Sequence, residues 1–374
     1  MAENKTVAPK KEIEIKDIST CEATQQMLAK ARRDGVETQF DRAANMKACP
    51  IGADSACCKH CFMGPCRLNA KDPYAKVGIC GANIDTIQAR NFGRMVATGT
   101  ACHNDHGMAM LDLFRDVVQG KNTDYKIKDE IKLNSLAEEV GIETEGRSTN
   151  EIALDLYHEL EKTYTQVEGE IPFAKRVPQK TLETWRKHNI VPRGAMREIM
   201  EMMSRTHIGM DQDYTNIIQQ ISRTALVDGW GGSMVATEIS DILFGTPSPV
   251  SVEVNMGVLK EDQVNVIVHG HEPNLFESML ASVNTPSLVE SAKEAGAKGI
   301  NLVGMCCSGA EVMSRHGIPH AGNFSSTEPV IVTGAVDAMA VDVQCIQQGL
   351  VKAGRTAVLF EKFGQLIRVN KTGS

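Results

Sequence analysis

The sequence has few aromatic residues, no long apolar segment and no excess of positive charge. Aromatic residues make up 5% of the 374 positions and the net charge is −7, so a surface that binds nucleic acid is not expected. No apolar run reaches the ~20 residues that a membrane-spanning helix needs. Residues 1–17 are charged and lack the apolar core of a signal peptide. We therefore predict a cytoplasmic globular protein without a transmembrane segment.

Cysteine is the residue whose distribution is most informative. There are eleven cysteines, and six of them lie between Cys49 and Cys80. A disulfide scaffold is not expected, because the chain is long, lacks an export signal and places cysteines next to one another. Clustered cysteines in a cytosolic protein instead indicate metal or redox chemistry.

Hydrophobic periodicity divides the chain into a helical part and an α/β part. Residues 1–20 are typical of a flexible arm, and residues 21–245 are mostly helical around a cysteine-rich loop at 45–82. The prolines of Thr-Pro-Ser-Pro at 246–249 indicate a domain boundary. Strand-like and helix-like runs then alternate to residue 345, which predicts an incomplete Rossmann-like parallel α/β domain. Residues 346–374 form an atypical, basic tail.

Short β-branched runs locate the expected strands of the α/β part. The pattern predicts strands at 264–268, 299–304 and 341–343, a further short strand at 330–332, and helices at 274–296, 309–316 and 335–339.

Four cysteines of the loop have the number and spacing of ligands for a [4Fe–4S] cluster. They follow the pattern Cys-x2-Cys-x4-Cys-x13-Cys and are Cys58, Cys61, Cys66 and Cys80. A cubane cluster takes one thiolate on each iron. The alternative is a structural zinc site, although zinc more often uses two separated Cys-x2-Cys pairs and only one pair is present.

Cys49 and Cys57 remain as two further thiols beside this pattern. Two cysteines do not complete a four-cysteine cluster. A two-fold axis of a homodimer would bring the same pair from a second chain and complete the set. The alternative is that both are ordinary buried thiols.

Three soft or borderline metal ligands each follow a predicted strand. His271 follows the strand at 264–268, and Cys307 and Cys345 follow the next two. In parallel α/β sheets, ligands bind outside the carboxyl ends of the strands. We therefore expect the three side chains to form one metal site. Taken singly, each could be a structural histidine or a buried packing cysteine.

With these patterns in view, the chain resembles the catalytic subunit of anaerobic nickel–iron carbon monoxide dehydrogenases, in the hybrid-cluster protein superfamily. The resemblance runs from about residue 20 to Ile346. It depends on the cysteine pattern from Cys49 to Cys80 and on GPCR (64–67), GICGA (78–82), ARNFGR (89–94), SDILFGTPSP (240–249), NMGVL (255–259), VHGHEP (268–273), GINLVGMCCSG (299–309), RHGIP (315–319) and DVQCI (342–346).

The resemblance implies a function for each group of ligands. Cys49 and Cys57 would bind a [4Fe–4S] cluster shared across a homodimer, and the other four loop cysteines would bind a [4Fe–4S] relay cluster. His271, Cys307 and Cys345 would be part of the ligand set of a nickel–iron–sulfur cluster. There CO and water become CO2, two protons and two electrons, which pass to a ferredoxin-type acceptor.

Two histidines match the start of a family series that relays protons. His103 and His106 lie on one predicted helix face, and imidazole titrates near neutral pH. The family often continues the series at three-residue steps, where this chain has Ala109 and Asp112. The alternative is a pair of solvated histidines near a helix start. Three other cysteines are expected to bind no metal: Cys21, Cys102 and Cys306.

The family pattern continues for several hundred residues beyond DVQCI. It includes a second Rossmann-like domain, three more cysteine ligands and a catalytic lysine, which the 374 residues do not contain. Residues 346–374 carry five basic residues and one acidic residue. These features predict a C-terminally truncated chain with an unrelated tail. The alternative function is therefore a non-catalytic iron–sulfur electron-transfer fragment. A related hydroxylamine reductase is not favoured, because that family has a different N-terminal cysteine spacing.

Overall fold

The computed structural model describes residues 13–356, which form two compact units. The helical unit comprises residues 48–246. The α/β unit comprises residues 13–47 and 247–356. Within residues 13–356, no helix is both long and apolar enough to cross a membrane.

The helical unit is built around one long helix, α5 (Ile84–Val118). Asn83 begins it, since the Asn83 side chain accepts a hydrogen bond from the backbone N–H of Thr86. Apolar side chains from several helices surround α5 and form the main core of this unit. These helices are α6 (Glu130–Val140), α7 (Thr149–Thr165), α8 (Gln179–Lys187), α9 (Ala195–Arg205), α10 (Tyr214–Val227) and α11 (Met234–Phe244).

A π-helical turn at Asp228–Ser233 joins α10 to α11 and lies against α5. A Cβ atom at Gly232 would stand 2.5 Å from the Cα of Asn104, so the two backbones approach more closely than any side chain allows. This approach places Asp228 beside His103 of α5.

The cysteine-rich loop is mostly irregular, as predicted, with three short elements. They are α4 (Pro50–Ala53) and an antiparallel pair, β1 (Cys57–Cys58) and β2 (Cys66–Arg67). A small apolar cluster anchors the loop to the start of α5. It contains Ala56, Leu68, Ala82, Ile84 and Ile87.

The α/β unit contains a three-stranded parallel sheet, which confirms the predicted fold class. Its strands are β3 (Val264–Gly270), β4 (Ile300–Met305) and β5 (Ala338–Val341), in the order β4-β3-β5. The central strand β3 is buried almost throughout. Four helices follow the strands along the chain: α12 (Pro273–Val283), α13 (Pro286–Glu294), α14 (Cys306–His316) and α15 (Thr327–Val332).

Four predicted elements of this unit were wrong. The helix expected at 274–296 is two helices, because Pro286 begins a new one. The strand expected at 330–332 is the end of α15, which is buried on every side and therefore lacks an amphipathic period. The helix at 335–339 and the strand at 341–343 are replaced by β5, whose register is set by pairing with β3.

The segment before the cysteine loop packs in the α/β unit, whereas we expected residues 21–245 to form one domain. It contains α1 (Ile15–Ile18), α2 (Glu22–Arg33) and α3 (Gln39–Asn45). The Arg42 guanidinium donates a 2.6 Å hydrogen bond to the fully buried carboxylate of Glu328 in α15. This pairing joins chain segments almost three hundred residues apart.

Part of the predicted tail is packed as well. Helix α16 (Leu350–Thr356) lies against α15, where Leu350 contacts Ile331. The Lys352 ammonium pairs with Glu37 at 2.8 Å. The basic composition from residue 346 onward therefore does not mark the end of the packed chain. The rest of the predicted tail, 357–374, and residues 1–12 of the predicted arm lie outside the described residues.

Candidate metal centres

The four loop cysteines with cluster spacing line one cavity of the helical unit. Cys58 is buried, Cys61 and Cys66 are half-buried, and Cys80 reaches solvent. Gly78 and Arg90 line the same cavity. All eleven cysteines are free thiols. Within residues 13–356, no three His, Cys, Asp or Glu side chains are arranged around a single ion.

Tight backbone contacts bring the first three thiols together. A Cβ atom at Gly64 would stand 3.0 Å from the carbonyl oxygen of Cys58 and 3.3 Å from the backbone nitrogen of Cys66. A larger residue would therefore separate the two strands of the loop. The Ile79 N–H donates to the Cys66 sulfur at 3.4 Å, which ties the segment carrying Cys80 to the same cavity.

The environment of Cys80 favours its thiolate. Burial opposes the charge, but hydrogen bonds from the Ala82 N–H and the Arg90 guanidinium outweigh it and lower the pKa of the thiol. Thiolate is the form that binds metal.

Cys49 and Cys57 do not line this cavity. Cys49 is exposed before the first turn of α4, where the N–H groups of Gly52 and Ile51 lower the pKa of its thiol. Cys57 is half-buried in β1, next to Cys58. Several large apolar side chains of the surrounding loop face solvent. They are Phe62, Met63, Tyr74, Val77 and Ile79.

In the α/β unit, the other three predicted ligands follow the three strands of the sheet. His271 comes directly after β3 and is buried, Cys307 lies in the first turn of α14 after β4, and Cys345 follows β5. Burial raises the pKa of the Cys307 thiol, and the neighbouring Cys345 raises it further. The two cysteines are thus close enough to interact electrostatically.

A carboxylate that the sequence reasoning did not single out joins these segments. Asp342 accepts hydrogen bonds from the backbone N–H groups of His271 (2.5 Å) and Glu272 (3.1 Å), and from the Ser308 hydroxyl (2.8 Å). Its own N–H donates to the carbonyl oxygen of His269 at 3.1 Å. Asp342 therefore holds the end of β3, the start of α14 and the end of β5 together.

Only glycine fits at position 270 beside this carboxylate. Gly270 has φ +147°, and a Cβ atom there would lie 1.5 Å from Oδ1 of Asp342. The Gly between the two histidines of VHGHEP is thus required by the approach of Asp342.

Left-handed backbone occurs at both cysteine-bearing turns. Cys306, Gln344 and Cys345 have φ values of 57°, 62° and 52°, a conformation that costs free energy and often occurs at functional sites. The Cys306 carbonyl oxygen is hydrogen-bonded to His320 Nε2 at 3.0 Å. Burial raises the pKa of the Cys306 thiol to about 12. The burial of Cys306 therefore disfavours its thiolate form.

A second buried histidine lies beside these ligands. His269 of β3 is fully buried, and burial lowers its pKa to about 4, although the backbone of Cys345 and Met305 partly counteracts this. The ring is therefore neutral near pH 7. No sequence signal separated this histidine from His271.

The two histidines of the predicted proton relay lie one turn apart on α5. His103 Nδ1 is 2.7 Å from a carboxylate oxygen of Asp228, and His106 is buried. Asp112, two turns further on, accepts a 2.7 Å hydrogen bond from Arg115. Of the other two cysteines expected to bind no metal, Cys102 is half-buried and Cys21 is exposed.

Comparison with known proteins assigns the family. The sequence model described as the Prismane/CO dehydrogenase family matches residues 56–360. The chain belongs to this family. The match includes every predicted ligand except Cys49, and it extends beyond the start of the predicted tail.

Characterised members of the family are similar over most of this chain. Carbon monoxide dehydrogenase 1 of Methanosarcina mazei is 50% identical over 329 residues, which are 88% of this chain and 52% of the relative. The beta subunit of carbon monoxide dehydrogenase/acetyl-CoA synthase from Moorella thermoacetica is 44% identical over 332 residues, which are 88% of this chain and 49% of the relative. The chain spans about half the length of the curated relatives it matches.

A solved structure agrees with the fold. The nickel-free carbon monoxide dehydrogenase of Thermococcus sp. AM4 has a TM-score of 0.91 and 40% identity, over 98% of this chain and 57% of that one.

We expect Asp342→Asn to destabilise the α/β unit. An amide turns an N–H toward at least one of the three donors, which leaves a buried donor unpaired at a cost of about 1–3 kcal/mol in unfolding free energy. Ser308→Ala is the matched control, since it removes one donor and leaves both backbone donors paired. Urea unfolding measures both variants. Equal unfolding midpoints for Asp342→Asn and the wild type would contradict the assigned role of Asp342.

Proposed function

We propose that this chain is part of an anaerobic carbon monoxide dehydrogenase that converts CO and water to CO2, two protons and two electrons. One observation carries the proposal: in a chain of this family, His271, Cys307 and Cys345 follow three adjacent parallel strands, and Asp342 joins the segments that carry them. The dehydrogenases named above support the reaction class.

Cys58, Cys61, Cys66 and Cys80 would hold a [4Fe–4S] cluster. The fit is supported by four thiols that line one cavity and by the lowered pKa of Cys80. Such a cluster supplies one-electron transfer. The loop would exclude part of the solvent and position the thiolates, while the electrons leave toward a ferredoxin-type acceptor.

Cys49 and Cys57 would hold half the ligands of a second [4Fe–4S] cluster, which a second copy of the chain completes. Both thiols lie outside the first cavity, and Cys49 is exposed with a lowered pKa. The exposed apolar side chains around the loop, such as Phe62 at 96% exposure, support a homodimer contact there.

His271, Cys307 and Cys345 would be part of the ligand set of a nickel–iron–sulfur cluster. Thiolate and imidazole are suitable ligands for nickel and iron. That cluster supplies the site where CO is oxidised. The chain's own contribution is to hold the three ligands on turns that Asp342 and the left-handed residues keep in place.

His103 and His106 would move protons released by the reaction. With the Nδ1 proton of His103 donated to Asp228, Nε2 is left to accept a proton. Asp228 thus orients the imidazole ring. We also propose a cytoplasmic location, because the eleven cysteines are free thiols, as is usual in a reducing compartment.

A second candidate function is electron transfer without catalysis. The observation that favours it is that all six cysteines proposed for the two relay clusters lie in one short segment, from Cys49 to Cys80.

CO-dependent reduction of methyl viologen tests the function and separates these candidates. We expect no activity from the 374-residue chain, because three protein ligands leave metal positions uncoordinated. We expect activity when the chain is fused in register to the second half of the Methanosarcina mazei relative, and loss of activity in the same fusion with Cys307→Ser. A fusion that contains stoichiometric nickel and iron but does not oxidise CO would overturn the proposed function.

The metal of the cysteine cavity is tested by Cys58→Ser. After anaerobic purification, we expect this variant to lose one cluster, roughly four iron atoms per protomer, together with a paramagnetic signal of the reduced protein. Cys21→Ser, which changes an exposed thiol outside the loop, is expected to keep the wild-type iron content. Stoichiometric zinc and no iron in the wild type would establish the zinc alternative instead.

The bridging cluster is tested by combining Cys49→Ser with Cys57→Ser. We expect about one cluster fewer per dimer and weaker association, because the shared ligands are lost from both copies. Iron analysis and sedimentation measure the two effects. An unchanged iron content would show that these thiols bind no cluster.

A further inference from the structure

Arg90 is a deeply buried cation in the wall of the cysteine cavity. It lies in the second turn of α5, is 1% exposed, and lines the cavity together with the four thiols. It belongs to the ARNFGR segment, to which the proposed function assigns no role.

Arg90 hydrogen-bonds to two neutral oxygen atoms and to one cysteine sulfur. Nη2 donates to the carbonyl oxygen of Asp211 (3.0 Å) and to the side-chain oxygen of Gln212 (3.2 Å). Nη1 is 3.9 Å from the sulfur of Cys80. The buried Nε has no hydrogen-bond partner in the described part of the chain.

A carboxylate counter-ion is missing around this guanidinium. Among residues 13–356, no ion pair includes Arg90, and the nearby carboxylate of Asp211 binds Arg205 at 2.9 Å instead. A buried charge without a compensating charge is strongly unfavourable. The four cysteines on the walls of the same cavity would become the compensating negative groups when they bind a metal cluster as thiolates.

We propose that Arg90 is the counter-ion of the cluster bound by Cys58, Cys61, Cys66 and Cys80, and that it raises the reduction potential of that cluster. The inference rests on the proposed function, in which this cavity holds a [4Fe–4S] relay.

The direction of the effect follows from charge. A cubane with four thiolates is negatively charged and gains one further negative charge on reduction. A buried cation at its edge stabilises the reduced form more than the oxidised form, because little water screens the interaction. A hydrogen bond to a ligand sulfur acts in the same direction, and both are known determinants of cluster potential.

A redox titration followed by electron paramagnetic resonance tests the proposal. The signal to follow is the one that Cys58→Ser removes. We expect Arg90→Gln to lower the equilibrium constant for reduction at least tenfold, which is about 59 mV for a one-electron couple. Arg90→Lys, which keeps the charge, is expected to remain closer to the wild type.

Arg94 provides the matched control. It lies one turn further along α5, is half-buried, and donates through Nε to the Thr206 hydroxyl at 2.9 Å, outside the cavity wall. Arg94→Gln removes the same charge from the same helix. We expect it to change the equilibrium constant by less than threefold.

The outcomes distinguish the role of Arg90 from the presence of the relay cluster. An Arg90→Gln protein whose cluster has the wild-type potential would overturn the role of Arg90 and leave the relay cluster in place. A wild type without iron would overturn both. If Arg90→Gln does not retain the cluster, Arg90→Lys tests the proposal instead. A reduction potential near that of the wild type supports Arg90 as the counter-ion, and a tenfold lower equilibrium constant for reduction contradicts it.

Discussion

The carboxylate of Asp342 is the interaction on which the α/β site depends. It accepts hydrogen bonds from two backbone N–H groups after β3 and from Ser308 in α14. Loops beyond strand ends move easily unless their polar backbone groups are paired. One carboxylate pairs these groups at two turns and belongs to the third, so the three segments that carry the predicted ligands are tied to one another. Gly270 leaves the space that this arrangement needs.

The helical unit depends on a different constraint, the close approach of backbones to α5. Gly232 brings the π-helical turn against Asn104, and this contact sets Asp228 opposite His103. The same helix carries Arg90 into the cysteine cavity near its other end. One long helix thus carries both a buried guanidinium in the cysteine cavity and an imidazole held by a carboxylate. A rigid helix suits both arrangements, because each requires a fixed distance between polar groups.

Several features were predictable because they depend on local sequence. The ligands of the cysteine loop lie within a short segment, so their spacing restricts what they can bind. The strands β3 and β4 were recognisable from β-branched runs next to glycines. Short buried runs without a hydrophobic period were not predictable in the same way. The apolar segment at 330–332 is helical in α15, and β5 begins at Ala338 instead of Val341. Tertiary burial hides the polar face that would otherwise indicate the type of element.

The sequence by itself determined the family and the fold class, because cysteine spacings and alternating strands and helices are local properties. The tertiary structure alone decided which distant groups support the ligands. Asp342 and His271 are 71 positions apart, Arg90 and Asp211 are 121 apart, and His103 and Asp228 are 125 apart. Such pairs form where separate elements pack, and the periodicity of a single element contains no information about its packing partner.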